Sequence, residues 1–216
     1  MSDLGDLPIP VLPGSDLADV PVEPVVLHSD TVFEGRVWSI TSERVELPGG
    51  EVVVRDVVRH PGAVAVMALD DAEHLVLVQQ YRHPVTARLW EAPAGLRDAH
   101  GEPPATTAAR ELAEEAGLAA GMWNLLLELA LTPGGSDERI QIFLARDLRP
   151  AEAPDGFVAT GEEADIWVGR FTLDDVVTAV LEGRVANAVL AAGALAVAAA
   201  RGRGWQGLIP VDEPHI

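Results

Sequence analysis

The pattern of apolar and polar positions becomes regular only at Val25, after an opening rich in proline and aspartate. Residues 1–24 show no sustained period, which predicts a poorly ordered or loosely docked arm. Beyond them, the β-rich runs TVFEGRVWSITSERVEL and EVVVRDVVRH flank the turn signal PGG at 48–50. We interpret residues 25–60 as a small antiparallel unit. It has little core of its own, so we expect it to pack on the main domain or on a partner subunit.

The central part of the chain alternates between short apolar runs and polar loops, which predicts a sheet interrupted by one helix. The expected strands are Ala63–Leu69, Leu75–Tyr81, Trp123–Leu131, Arg139–Arg146 and Ile166–Arg170. The helix is expected from about Ala105 to Ala116, with Thr106 or Thr107 near its start and Gly117 as its stop. Residues 90–94 lead into the loop before this helix.

Two further helices are predicted near the end of the chain, at Leu173–Gly183 and Val185–Arg201. The second is alanine-rich, and its apolar run is shorter than the roughly 20 residues that a membrane span needs. We therefore expect a helix in the core or at a subunit interface, followed by a tail at 202–216. Strands around one helix, with helices after them, predict an α/β layered domain over residues 61–201.

Composition narrows the classes of partner. A chain of 216 residues with 48% hydrophobic residues can bury one sizeable core. Its formal net charge of −19 argues against a broad basic surface, so we expect neither nucleic-acid nor membrane binding. The chain has no cysteine, hence no disulfide framework and no thiol nucleophile, and its N-terminus does not resemble a signal peptide. A cytoplasmic location is expected.

Three glutamates, Glu111, Glu114 and Glu115, lie close together on the predicted central helix. At ~100° per residue they fall within an arc of roughly 100°, opposite Leu112 and several alanines. Carboxylates this close repel one another unless a cation shares the site. Oxygen ligands without cysteine or histidine suit Mg²⁺ or Mn²⁺ rather than zinc. The alternative interpretation is a solvated acidic helix face.

The residues around this face closely resemble the Nudix box. That pattern is Gly, five residues, Glu, seven residues, then Arg-Glu-apolar-x-Glu-Glu-x-Gly-apolar; here it corresponds to Gly95, Glu102 and the run RELAEEAGL from Arg110. One departure is that six residues, not five, separate Gly95 from Glu102, which affects the position of Glu102 more than that of the metal ligands. The resemblance implies an α/β/α sandwich with a mixed sheet and a hydrolase of nucleoside diphosphates linked to another moiety.

The same resemblance implies roles for the box residues. Glu111, Glu114 and Glu115 would bind Mg²⁺ or Mn²⁺, together with the backbone carbonyl of Ala94. The structural residues of the box would be Gly95, Glu102 and Arg110. Of these, Arg110 and Glu102 are expected to brace the junction between loop and helix.

Outside the box, residues 25–200 resemble the ADP-ribose pyrophosphatases, through WEAPAG at 90–95, Pro133 fifteen residues past Leu118, and the loop at 133–138. This implies hydrolysis of ADP-ribose to AMP and ribose 5-phosphate. The segment GEEAD at 161–165 would supply the general base, Glu162 or alternatively Glu163, unless these are exposed loop acids. Two other functions stay open: hydrolysis of another nucleotide sugar or dinucleotide, and a binding module without catalysis.

Relatives in this group form dimers in which the N-terminal unit reaches the other subunit's site. The resemblance therefore implies a homodimer formed through residues 25–60. Arg55 would approach the partner's site, and Trp38 would stack on adenine, although Trp38 could equally be a core residue. Arg82 matches an arginine that faces the diphosphate, and Pro133 and Glu138 belong to the loop expected to contact substrate.

Overall fold

Two sheets make up the β structure of residues 10–99, 101–152 and 165–211, which the computed structural model describes. The smaller sheet is antiparallel, with strands β1 (Val25–Glu34), β2 (Ser39–Glu46) and β3 (Val52–Arg59) in that order. The run TVFEGRVWSITSERVEL holds the end of β1 and all of β2, because the Gly35 N–H donates to the Trp38 carbonyl (3.0 Å) and closes a turn between them. Residues 10–24 are exposed and contain one short 3₁₀ turn.

The larger sheet has eight strands in the described part of the chain. They are β4 (Ala63–Leu69), β5 (His74–Arg82), β6 (Ala87–Glu91), β7 (Ala94–Leu96), β8 (Leu118–Ala130), β9 (Arg139–Pro150), β10 (Trp167–Thr172) and β11 (Ile209–Val211). Their order is β10-β5-β4-β9-β8-β11, with β6 paired to β5 and β7 to β4. The β4–β9 pair is parallel and the others are antiparallel, so the sheet is mixed, as predicted.

Helices cover both faces of this sheet: α1 (Pro104–Ala116) on one side, α2 (Leu173–Leu181) and α3 (Ala188–Gly202) on the other. All seven positions of β4 are buried. Successive side chains of a strand point to opposite faces. Val64 and Val66 accordingly join the core under α1, whereas Ala65 and Met67 join the core under α2 and α3. The predicted α/β/α sandwich is confirmed.

The ends of α1 follow from its sequence. Pro104 occupies the first turn, where a missing N–H costs nothing, and Gly117 ends the helix at φ 65° with its N–H donated to the Ala113 carbonyl (3.0 Å). The helix thus starts one residue earlier than predicted. Thr107 does not cap it: the Thr107 side chain is buried and its hydroxyl donates to the Glu102 carboxylate (2.8 Å).

The alanine-rich helix α3 is a core helix. Its start is capped by Asn187, whose side-chain oxygen accepts the Leu190 N–H (2.8 Å). Leu190, Ala194 and Val197 are fully buried against the sheet. In the described part of the chain, no helix is long and apolar enough to cross a membrane.

The segment after α3 was expected to be a tail, and up to Val211 this expectation was wrong. Strand β11 pairs with β8, extending the sheet by one edge strand. Trp205 packs against the core, and the Arg146 guanidinium lies 4.7 Å from the centre of its ring. A strand of three residues is too short to show an apolar periodicity in the sequence. It forms because it pairs with β8, not because its residues favour a strand by themselves.

Candidate active site

The predicted carboxylate face of α1 lies directly against strand β7. The Ala94 N–H donates to Glu115 Oε2 (3.0 Å). A Cβ atom built on Gly95 would lie 2.0 Å from Glu111 Oε1, so only glycine lets the strand approach the helix this closely. Strand β7 therefore forms one wall of the carboxylate site. The predicted role of the Ala94 carbonyl as a metal ligand stays a prediction.

The carboxyl group of Glu115 is strongly perturbed by its surroundings. Burial raises the pKa of the Glu115 carboxyl to about 8, and the negative charge of Glu111 adds to the shift. The Ala94 N–H and the Arg82 guanidinium act in the opposite direction without offsetting it. Without a cation, Glu115 therefore holds a proton at neutral pH.

Arg110 contacts both neighbouring glutamates of the face. Its Nη1 lies 2.8 Å from Glu111 Oε1 and 2.9 Å from Glu114 Oε2. Its Nη2 lies 3.6 Å from Glu102 Oε2, which is the expected bracing contact at the loop–helix junction. The contacts to two predicted metal ligands were not foreseen. They place the guanidinium among the carboxylates, where it reduces their mutual repulsion.

Within the described residues, no group of three or more acidic or histidine side chains lies close enough together to bind a metal ion as it stands. Glu111 and Glu114 are instead paired with Arg110. The donor set nevertheless fits a hard divalent cation, because it offers three partly buried carboxylates. Gly95 has no side chain to displace that of Glu111, so the backbone of β7 stays beside the carboxylates.

One cavity contains this face and a second lies beside it. The first, here called the carboxylate pocket, has about 410 Å³ and includes the three glutamates, Arg110, Gln80 and Asp98 in its lining. The second, here called the adjacent cleft, has about 330 Å³. Both volumes are typical of small-ligand sites. Arg82 and residues 94–96 line both cavities, so the two are neighbours that share this part of their lining.

Arg82 stands at the boundary between the cavities and is held by a buried acid. Its Nε donates to Glu91 Oε1 (3.0 Å) and its Nη2 to Glu91 Oε2 (2.7 Å). Glu91 is only 4% exposed and also accepts from Gln80 Nε2 (3.4 Å). Such a bidentate pair fixes the plane of the guanidinium. Sequence patterns assigned no role to Glu91, which is the last residue of β6; its contact with Arg82 depends on the pairing of β6 with β5.

The wall of the adjacent cleft combines distant parts of the chain. Glu138 lines it, as expected, together with His60 and Asn187, which were not predicted. Asn187 is the residue that caps α3, so its position follows from the helix start. His60 belongs to the link between β3 and β4. No sequence pattern marked it, because its role depends on how the two sheets meet.

Three predicted substrate residues lie outside the described lining of the adjacent cleft. Trp38 is 43% exposed and packs on Phe33, with ring centres 5.6 Å apart. It lines an open surface pocket that shares His60 with the cleft. Arg55 is exposed on β3 and donates to the Val54 carbonyl (2.9 Å), and Pro133 lies in the exposed β8–β9 loop. The predicted bases Glu162 and Glu163 lie outside the described residues.

Comparison with known proteins identifies the lineage. The NUDIX domain profile matches residues 58–190. The chain belongs to the NUDIX family. An ADP-ribose pyrophosphatase from Mycobacterium tuberculosis is 44% identical over 171 residues, 79% of this chain and 81% of that protein. A methanol dehydrogenase activator from Bacillus methanolicus is 37% identical over 165 residues, 76% of this chain and 86% of the relative.

Solved structures agree with this assignment. The crystal structure of an ADP compounds hydrolase superposes with a TM-score of 0.70 at 25% identity, covering 87% of this chain and 99% of that one. The predicted family and the predicted enzyme class, a NUDIX hydrolase, are confirmed.

Proposed function

We propose that this NUDIX protein hydrolyses the diphosphate of ADP-ribose to AMP and ribose 5-phosphate, with Mg²⁺ or Mn²⁺ as cofactor. The observation that carries the proposal is that Arg82 lines both the carboxylate pocket and the adjacent cleft. A diphosphate over this boundary would leave the attached groups room on either side. The 44% identical relative named ADP-ribose pyrophosphatase supports the choice of substrate.

The residues of the carboxylate pocket have distinct proposed roles. Glu111, Glu114 and Glu115, with the backbone of Ala94, would hold the cation. A bound divalent cation would neutralise phosphate oxygens and make the attacking water more acidic. Arg82, fixed by Glu91, supplies a positive charge to the diphosphate, which a chain of net charge −19 must provide locally.

The general base is proposed from the resemblance alone. Glu162, or alternatively Glu163, would accept the proton of the attacking water as the oxygen–phosphorus bond forms and the bridging P–O bond breaks. Replacing each by glutamine separates the two: the variant of the true base loses most of its kcat, and the other keeps it.

We also propose a homodimer formed through the small N-terminal sheet. All ten positions of β1 are exposed. Its exposed large apolar side chains are Val25, Val26, Leu27, Val32 and Phe33. A patch of this kind is typical of an interface. Across such an interface Arg55 and Trp38 would complete the partner's site, beside the loop of Pro133. The absence of cysteine supports the cytoplasm as the proposed location.

The test of the reaction is direct. Purified protein is incubated with ADP-ribose and Mg²⁺ or Mn²⁺, and AMP and ribose 5-phosphate are measured by chromatography in equal amounts. Chelation by EDTA should abolish both products. Absence of AMP with every divalent cation tried would contradict the proposal, and tight ADP-ribose binding without turnover would indicate a binding module instead.

Substrate choice needs a separate measurement. The panel comprises ADP-ribose, other nucleotide sugars and dinucleotides, ranked by kcat/KM. We expect ADP-ribose to rank first. A higher kcat/KM for another member would keep the chemistry and change the substrate.

A further inference from the structure

The β8–β9 loop (131–138) is bonded to the last residues of the N-terminal sheet. The Val58 N–H donates to the Gly135 carbonyl (2.9 Å), and the Asp137 N–H donates to the Val58 carbonyl (3.1 Å). The Ser136 hydroxyl also donates to the Val58 carbonyl (3.3 Å). The loop therefore runs beside the end of β3 as a short parallel bridge. This bridge ties the smaller sheet to the catalytic sheet.

The Asp137 carboxylate closes the bridge through both of its oxygens. Oδ2 accepts from Arg59 Nη1 (3.0 Å), and Oδ1 accepts the His60 N–H (2.9 Å). Arg59 reaches further, donating to the Glu43 carboxylate and the Thr41 hydroxyl on β2. One charged chain of contacts thus runs from β2 through Arg59 to the loop. We call Arg59, Asp137 and the His60 N–H the interdomain clamp.

Arg59 and Asp137 are both charged, which strengthens the contact between the loop and β3. Partial burial acts to raise the pKa of Asp137, but the Arg59 guanidinium and the His60 N–H outweigh it and hold the pKa below its ordinary value. The hydrogen bond to Asp137 in turn raises the pKa of Arg59. Both partners are therefore ionised at neutral pH.

The clamp carries two residues of the adjacent cleft. His60 follows Arg59 in the chain, and Glu138 follows Asp137; both line the cleft. Their side chains approach to 3.9 Å between His60 Nδ1 and Glu138 Oε1. Any movement of the loop relative to β3 would separate these two side chains. The geometry of this cleft wall therefore depends on the clamp.

We propose that Asp137, acting with Arg59, is a positioning residue that fixes the His60–Glu138 wall of the cleft and thereby sets affinity for the nucleotide sugar. The affinity part rests on the proposed function. As an ion pair the contact would add little to stability, because Arg59 and Asp137 are 39% and 40% exposed. Its contribution is geometric, since displacements of about 1 Å can reduce catalytic efficiency strongly.

The first test separates affinity from chemistry. Asp137→Asn and Arg59→Met should each raise the KM for ADP-ribose about fivefold to tenfold, with kcat changed less than about twofold. The double variant should raise KM no more than the stronger single variant, because both changes open the same contact. Arg59→Lys is a milder substitute should Arg59→Met not fold.

Asp70 provides a matched control. It accepts the backbone N–H groups of Ala72 and His74, pairs with Arg170 (3.2 Å), and has a similarly lowered pKa, but it is part of neither cavity of the site. Asp70→Asn should leave KM unchanged. An equal KM increase in this control, or fully additive effects of the two clamp variants, would overturn the proposal.

A second readout needs no turnover. In Asp137→Asn, hydrogen exchange at the amides of Val58, His60 and Asp137 should speed up at least tenfold, while amides in β4 keep their protection. Unchanged exchange would also overturn the clamp, even if KM rises. If the wild type produces no AMP from ADP-ribose, the proposed function fails, and the exchange data still decide whether the clamp exists.

Discussion

The carboxylate pocket and the adjacent cleft share Arg82 and residues 94–96, yet they are built in opposite ways. The three glutamates of the pocket come from a span of five positions on one helix, which packs against one three-residue strand. The cleft draws on the link between the sheets, on β5 and β6, on the β8–β9 loop and on the start of α3. The helical period thus places the three carboxylates together, whereas the packing of distant elements forms the wall of the cleft. Changes in the pocket should affect kcat, and changes in the cleft should affect KM.

The largest expected effect is the loss of Glu115. Glu115→Gln should lower kcat roughly a thousandfold, because the lost carboxylate would hold the cation that stabilises the charge developing in the transition state. ADP-ribose binding, measured by calorimetry, should change only a few-fold. The control is Glu128→Gln, which removes an exposed acid on β8 and should leave kcat unchanged. An unchanged kcat in Glu115→Gln would rule out Glu115 as a metal ligand. It would also contradict the expectation that changes in the pocket affect kcat.

Arg82 tests the boundary between the two cavities. Arg82→Met leaves the carboxylate of Glu91 buried without its guanidinium, so the free energy of unfolding should fall by about 3 kcal/mol, measured by urea denaturation. KM for ADP-ribose should also rise. Adding Glu91→Leu should restore most of the stability but not KM. Recovery of both would mean that Arg82 does not contact substrate.

Protonation of Glu115 predicts a pH dependence in the chelated protein. Its folded pKa of about 8 lies above the ordinary value of 4.5, so the folded state keeps a proton that the unfolded chain has lost. The free energy of unfolding should therefore fall as the pH rises from about 4.5 towards 8, by on the order of 1 kcal/mol per pH unit at most. Glu115→Gln should remove this slope. Thermal melts with EDTA from pH 5 to 8 measure it, and equal slopes in both proteins would contradict it.

The smallest expected effect concerns the outer end of the cleft. If Trp38 stacks on adenine, Trp38→Ala should raise KM about fivefold while kcat stays constant, and Trp38→Phe should retain most of the affinity. Phe33→Asp should dissociate the proposed dimer, as followed by analytical ultracentrifugation, and should raise KM as well. A Trp38→Ala variant with normal KM would contradict the stacking of Trp38 on adenine.

Much of the helix and its acids could be predicted from the chain alone. The spacing of Glu111, Glu114 and Glu115 against Leu112 determines a polar and a buried face, and Gly117 supplies the stop. Strand β4 was equally predictable as a continuous apolar run, because both of its faces are covered. These features depend on residues a few positions apart, where backbone geometry leaves little choice.

Only the tertiary structure decided the remaining contacts. The pairing of Arg82 with Glu91, the docking of β11 on β8 and the interdomain clamp depend on which strands become neighbours and in what register. Asp137 and Arg59 are 78 positions apart, and periodicity carries no information over that distance. A pattern determines which face of an element is buried. The packing of whole elements determines which side chains meet there, and in this protein that packing forms the cleft beside the carboxylates.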